Sequence, residues 1–304
     1  IKNSKNRFLS IAILIALAVA FLSGLKATAP DIKNTGDEYL DKQQLMDIQV
    51  LSTLGLTKDD IKALGAQDNI ERAVGAYCID AWAGDLVAKA YSITDGMNLL
   101  TVTSGRMPES PDECIVDKNL LEKMKISVGD SITIDPSDDY EDCLTHKNFT
   151  IVGTAVSPYY ISVERGSASI GSGNVRAYVY LPEGAFDLDY YTVAYAKVKG
   201  AQELTAFTDE YDDYIDDVMD SLKDFGDRRA KLRYDDIIDE AQGKIDDAQK
   251  ELDDKEKEAD EKLSDAEQEL KDARRKLDKG WKEYRDGKKE LEESLPKLCD
   301  AECE

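Results

Sequence analysis

One histidine, His146, stands in 304 residues, with seven prolines and two tryptophans. A lone histidine cannot build an H-E-x-x-H pair or any other His-rich metal site. No G-x-x-x-x-G-K-[ST] run is present, so no Walker loop holds a nucleotide. No G-x-S-x-G elbow is present either. Basic residues are scarce relative to acids: 39 Lys and Arg face 63 Asp and Glu, a net charge of -24. Nucleic-acid binding needs a basic face, and this balance excludes it. The five cysteines (Cys78, Cys114, Cys143, Cys299 and Cys303) are odd in number and scattered, so no disulfide framework follows. Cys299 and Cys303, four apart, could meet on one helical turn. The acidic run Asp135–Asp142 lacks the spacing of a calcium loop and reads as solvated. Nothing assembles a nucleophile, a base and an oxyanion site, so the chain is not expected to be an enzyme or to need a cofactor.

What is present begins with an apolar run. Phe8 to Leu25, FLSIAILIALAVAFLSGL, is long enough for a short transmembrane helix. Lys2, Lys5 and Arg7 precede it, and Asp31, Asp37, Glu38 and Asp41 follow. The positive-inside rule places the N-terminus in the cytoplasm and everything after about residue 27 outside. A cleaved signal peptide is the rival reading, because Ala27-Thr28-Ala29 forms an A-x-A pattern, but Pro30 would follow the cut. Beginning at Ile1 without methionine and ending at Cys303-Glu304, the chain reads as a piece of a longer one.

Residues 27–44 read as a polar stalk with helical character. Strand composition follows in Leu45–Thr53. Thr57 is the expected N-cap of a short helix that Gly65 stops, with Asp60 completing a capping box. Alternating apolar segments predict strands over 71–82, 85–93, 99–105, 113–117, 131–135, 149–156, 175–181 and 192–199, with a small helix at 118–124. They suit a mainly antiparallel sheet with helices on one face. A helix is expected from Ala201 to Phe225. In the loop SPYYISVERG, Tyr159, Tyr160 and Arg165 form either a partner-binding surface or a packed edge of the sheet.

From about Arg229 charge dominates, and apolar residues recur in steps of three and four. Ile238, Ile245, Leu252, Leu263, Leu270, Leu277, Tyr284 and Leu291 form the large half of a seam. Ala241, Ala248, Ala259, Ala266, Ala273, Gly280 and Gly287 form the small half. Lys255 interrupts the pattern, and Ala259–Leu263 is a stutter. This predicts a coiled-coil arm of about 60 residues, roughly 90 Å long. An interior glycine costs about 1 kcal/mol against alanine. Two of them one heptad apart argue for a closely packed partner helix, either a return arm or a second copy.

The run GRMPESPDECIVDKNLLEKMKISVGDSITI (105–134), with FTIVGTAVSP (149–158), resembles the extracytoplasmic core of MacB/FtsX-like ABC transporter permeases. The matching positions are Gly105, Arg106, Pro108, Glu113, Gly129, Asp130 and Gly153, all structural rather than catalytic. The first apolar segment is similar to the first membrane helix of such permeases. SPYYISVERGSASIGSGNVRAYVYLP and the arm are similar to a Gram-positive subgroup with an extracellular coiled coil. The resemblance implies an α+β fold: a transmembrane helix with its cytoplasmic flank (1–26), a MacB-like core (27–228), a coiled-coil arm (229–295) and a truncated end (296–304). It implies a permease subunit in the cell membrane that works with a separate ABC ATPase subunit and a second permease copy or return arm. ATP-driven motion would serve export of a lipid or peptide, or control of a cell-envelope partner. The competing expectation is a single-pass surface spacer or adhesin acting as a homodimer.

Overall fold

The computed structural model describes residues 5–140, 142–161 and 165–301; Lys2, Glu164, Cys303 and the side chains from 295 onward, and with them Cys299 and most of the 296–304 end, lie outside that description. The chain divides into two compact units, Ile1–Arg233 and Tyr234–Glu304.

In the first unit, helix α1 (Lys5–Lys42) carries the apolar run and the expected stalk without interruption, with Pro30 inside it. It is the one described helix long and apolar enough to cross a membrane, and its apolar window is wholly exposed. Two sheets follow. A three-stranded antiparallel sheet has the order β1 (Ile48–Leu56), β10 (Tyr191–Val198), β2 (Ile70–Ala76). Helix α2 (Lys58–Gly65) and the first turns of α4 (Asp209–Ala301) pack on it, while the short helix α3 (Lys118–Met124) packs on the larger sheet. Leu64, Ile215 and Val218 meet Ile48, Ile70, Ala194 and Ala196 on the small sheet. Local chemistry sets α2 as expected: Thr57 accepts the Asp60 N–H (3.2 Å) and Asp60 accepts the Thr57 N–H (2.8 Å).

The larger sheet has seven strands in the order β5 (Thr101–Gly105), β8 (Asn148–Val156), β6 (Glu113–Val116), β9 (Ala177–Leu181), β4 (Leu86–Ser92), β3 (Cys78–Ala83), β7 (Ser131–Pro136). β7 also pairs with β8, so the sheet closes on itself and leaves β5 outside the ring. Closure removes edges that would otherwise invite pairing with other chains. Alanines 81, 83, 88, 90 and 177 are fully buried inside, beside Ile79, Ile134, Phe149 and Ile151. Their small side chains let the strands converge around the larger ones. β9, central in the order, is buried along its whole length.

Several expectations change here. The larger sheet is mainly antiparallel, as expected, but two of its pairs are parallel, β4 with β9 and β6 with β8. The 71–82 segment is two strands that part at Tyr77 and join different sheets. Only a short 3-10 turn occupies Ala201–Glu203, and α4 begins at Asp209 after Phe207, whose φ of 63° is left-handed and ends any helix. The helix expected to end at Phe225 runs on, as part of α4, to Ala301.

The second unit is the continuation of α4 from Tyr234. Its seam residues Ile238, Ile245, Leu252, Leu263, Leu270, Leu277, Tyr284 and Leu291 are all exposed. Lys–Glu pairs four apart, such as Lys255–Glu251 and Lys262–Glu258, line its surface. Each such exposed pair contributes about 0.3–0.5 kcal/mol.

Candidate functional site

The residues that carry the family resemblance converge on one turn system beside β8. Gly105 closes β5 with a φ of +74°, and a Cβ there would lie 2.2 Å from the Val152 carbonyl oxygen. Gly153, its register partner, would place a Cβ 2.6 Å from the Arg106 carbonyl oxygen. Two backbones therefore touch where only glycine fits. Arg106 donates its backbone N–H to Val152 (3.0 Å) and grips Glu113 with two guanidinium bonds of 2.7 and 2.5 Å. Glu113 also accepts the Glu109 N–H (2.8 Å), which ties down the segment containing Pro108. The Arg106 bonds, and then that N–H, lower the Glu113 pKa to about 2. Asp130 accepts the Ser127 N–H (2.8 Å), and Gly129 donates to the Ile151 carbonyl (2.8 Å). Each of these contacts joins one part of the turn system to another.

The aromatic loop packs on its own sheet. Tyr160 stacks on Tyr178 at 4.7 Å with 4° between the rings, and its hydroxyl lies 2.8 Å from that of Tyr91. Tyr159 lies between Tyr91 and Tyr195. Arg165 covers both Tyr160 and Tyr178, 5.6 and 5.1 Å from their centroids, and pairs with Asp117. Burial raises the pKa of Tyr159 and Tyr160, so both rings stay neutral and act as packing groups. Among the described residues of the loop, Ile161 is an exposed apolar side chain.

His146 is half-buried. Its ring lies 4.5 Å from Phe149, with Nδ1 2.9 Å from the Thr145 hydroxyl. No group of three or more His, Cys, Asp or Glu that could hold a metal occurs among the described residues. Burial raises the pKa of Cys78 to about 11 and of Cys114 to about 12, so both are protonated and unreactive at neutral pH. In the arm, Ala266 and Ala273 are exposed, and a Cβ at Gly280 or Gly287 would meet nothing within 4 Å.

A set of contacts with no sequence signal joins the end of α1 to the core. Asp37 accepts the Ala206 N–H (2.7 Å), and Lys33 donates to the Phe207 carbonyl (2.6 Å). Leu40 is buried. Just beyond the helix, Lys197 donates to the Leu45 carbonyl (3.1 Å) and lies 3.6 Å from Asp47, both side chains being more than 90% buried. Asp47 also accepts from the Tyr211 hydroxyl (2.8 Å) and the Val198 N–H (2.7 Å). The last turns of α1 are thus bonded to the segment that leads into α4, and the residues just beyond α1 to a strand of the small sheet and the first turn of α4. Neither Asp37 nor Asp47 belongs to a periodic or motif pattern, so only the fold brings them to their partners.

Comparison with known proteins gives the family. The MacB-like periplasmic core domain model matches residues 8–214. No curated protein matches the sequence. Among solved structures, the chain is similar to the extracellular domain of the noncanonic ABC-type transporter YknZ from Gram-positive bacteria, with 17% identity over 50% of this chain and 78% of that one (TM-score 0.32). It is also similar to the periplasmic region of MacB from Actinobacillus actinomycetemcomitans, with 11% identity over 57% and 75% (TM-score 0.32). A domain of a putative permease from Porphyromonas gingivalis shares 14% identity over 48% and 70% (TM-score 0.27). With the family model matched over well more than half of its length, the chain belongs to the MacB-like periplasmic core domain family, within the MacB/FtsX-like ABC transporter permeases.

Proposed function

We propose that this chain is the part of a permease subunit that carries ATP-driven motion across the membrane into an extracellular domain. The observation that supports this is the unbroken helix α1, whose membrane-length apolar run continues into the turns that hold Asp37, Leu40 and the Ala206–Phe207 segment. A shift or rotation of a rigid helix is delivered at its far end, not absorbed along it. Here that end is bonded to the residues that lead into α4. The nucleotide is hydrolysed by a separate ABC ATPase, the N-terminus lies in the cytoplasm, and residues after about 27 lie outside. The output is movement of a lipid or peptide, or control of a cell-envelope partner.

The test is to uncouple the helix. Replacing Pro30 by three glycines in the full permease, assembled with its ATPase in lipid vesicles, leaves ATP hydrolysis running. It should abolish the ATP-dependent change in distance between spin labels placed at Asp138 of two permease copies. An unchanged distance response in the glycine variant would overturn transmission through α1.

A further inference from the structure

The small sheet ends on β1, which pairs with β10 on one side and with no described strand on the other. No residue from Ile48 to Thr57 is charged, in a chain where 34% of residues are, and Leu51 is 70% exposed. A free strand edge presents unpaired N–H and C=O groups that recruit another strand, and charge or proline is the usual guard against it. β1 has neither. Its bulge lies beyond Leu51: Leu51 faces Val193 and Leu56 faces Tyr191, so the intervening β1 residues swing away from β10.

A groove of about 410 Å³ runs along this edge. Its strand wall is the unbroken run Val50–Leu56. Successive strand residues point to opposite faces, so an unbroken run lines a groove only where the backbone edge itself borders it. The facing wall is one stripe of α4, in which Leu222, Phe225, Gly226, Arg229, Ala230 and Arg233 recur at helical spacing. Gly226 and Ala230 leave the middle of that stripe without bulk, and a Cβ at Gly226 would meet nothing within 4 Å. Ile61 and Leu64 of α2 add apolar lining. Arg229 is neutralised by Asp60. Arg233 is not: its Nε donates to the Leu54 carbonyl (3.3 Å), bridging helix and strand, while its Nη groups have no partner among the described residues. Asp227 lines the groove about 9 Å back along α4, so the positive charge sits at the Arg233 end.

We infer that an extended peptide segment of a partner protein adds to β1 as a further strand of the small sheet, with an apolar side chain in the groove and a carboxylate at the Arg233 end. In strand addition the main-chain hydrogen bonds supply affinity and a pocket for alternate side chains supplies selectivity. The groove has the volume of a pocket that takes one or two such side chains. With Nε engaged, the two Nη groups of Arg233 match a carboxylate as a bidentate pair. The inference rests on the groove alone and stands independently of ATP-driven transmission.

The experiment is an anisotropy titration of the fluorescein-labelled peptide Thr-Val-Thr-Leu-Glu amide with the full chain in lipid nanodiscs, joined to hydrogen exchange. The peptide should bind saturably and slow exchange of the Ile48–Leu56 amides severalfold. Gly226→Leu fills the groove from a helix position that favours leucine, and should weaken binding at least tenfold while the unfolding midpoint holds. Arg233→Gln should weaken binding of this peptide about tenfold and leave that of its glutamine counterpart unchanged. Only one edge of an added strand faces β1. Of two peptides N-methylated at alternate amides, one in each register, only one should therefore bind. Equal binding of both, or binding without protection of β1, would mean apolar docking without strand addition and would overturn the proposal. So would the absence of saturable binding up to the peptide's solubility limit, or a dimer of the chain paired through β1 that the peptide does not dissociate.

Discussion

Asp60 and Arg229 are 169 residues apart in sequence, yet Nε and Nη2 of Arg229 both lie 2.6 Å from one Asp60 oxygen. The same carboxylate completes the capping box of α2, so one side chain both starts a helix and anchors α4 to it. Burial raises the Asp60 pKa, but the Thr57 bonds and Arg229 outweigh it and the net shift is downward. Asp60→Ala removes the cap, worth about 1 kcal/mol, and strands Arg229 beside an apolar surface. We expect a total loss of about 2–3 kcal/mol. It should appear as a lower urea midpoint, and an unchanged midpoint would show that the pair is idle.

Acid should expose the Arg106–Glu113 clamp. The folded pKa of Glu113, about 2, lies below the ordinary glutamate value. Its contribution is therefore complete above roughly pH 4.3 and disappears as pH falls through 2. Glu113→Gln should lower the urea midpoint at neutral pH. The gap between variant and parent should shrink between about pH 4 and pH 2 and close below it. A gap independent of pH would assign the effect to packing instead.

The two facing glycines should be intolerant of even a methyl group. Gly105→Ala adds a left-handed strain to a 2.2 Å clash with a carbonyl, and Gly153→Ala meets backbone on two sides. Each should cost about 2–4 kcal/mol, read as a reduced urea midpoint with an unchanged slope. A neutral alanine at either position would mean that the strands can part there.

In the arm, alanine and leucine should separate helix propensity from partner packing. Nothing in the described chain lies near Gly280 or Gly287, so Gly280→Ala with Gly287→Ala should stabilise an unpartnered helix by about 1 kcal/mol per site. If a second helix packs on the seam, Gly280→Leu with Gly287→Leu should instead reduce association in analytical ultracentrifugation of the complete permease. Loss of association with the leucine pair, but not with the alanine pair, would establish close packing at the glycines.

What was legible in the sequence was local. Thr57, Asp60 and Gly65 announce α2 because capping chemistry is confined to one turn. The Lys118–Met124 helix has the bounds expected; Asp117 caps its start, but its end at left-handed Lys125 carries no glycine or asparagine to signal it. The turn residues 105–113 were readable through their resemblance to a family, and their clamp explains why those residue types are needed. The parallel pairs β4–β9 and β6–β8 were not legible, since they join segments far apart in sequence with no turn to signal them. The α4 start was misplaced because the Ala201 turn mimics a first helical turn. Asn98 gave no signal: its N–H meets the Gln44 carbonyl only in the fold, and an asparagine in a loop reads as an ordinary turn former.

The pairing of β7 with β8 has a consequence for how relatives of this chain can vary. In a ring, strand number and stagger are linked, so an added residue in a ring strand must be matched around the circuit or absorbed in a bulge. β8 shows the second solution: beside β6 its register slips by one residue, at Val152. The ring is thus expected to take up single-residue changes as local kinks and to leave larger insertions to the connections between its strands.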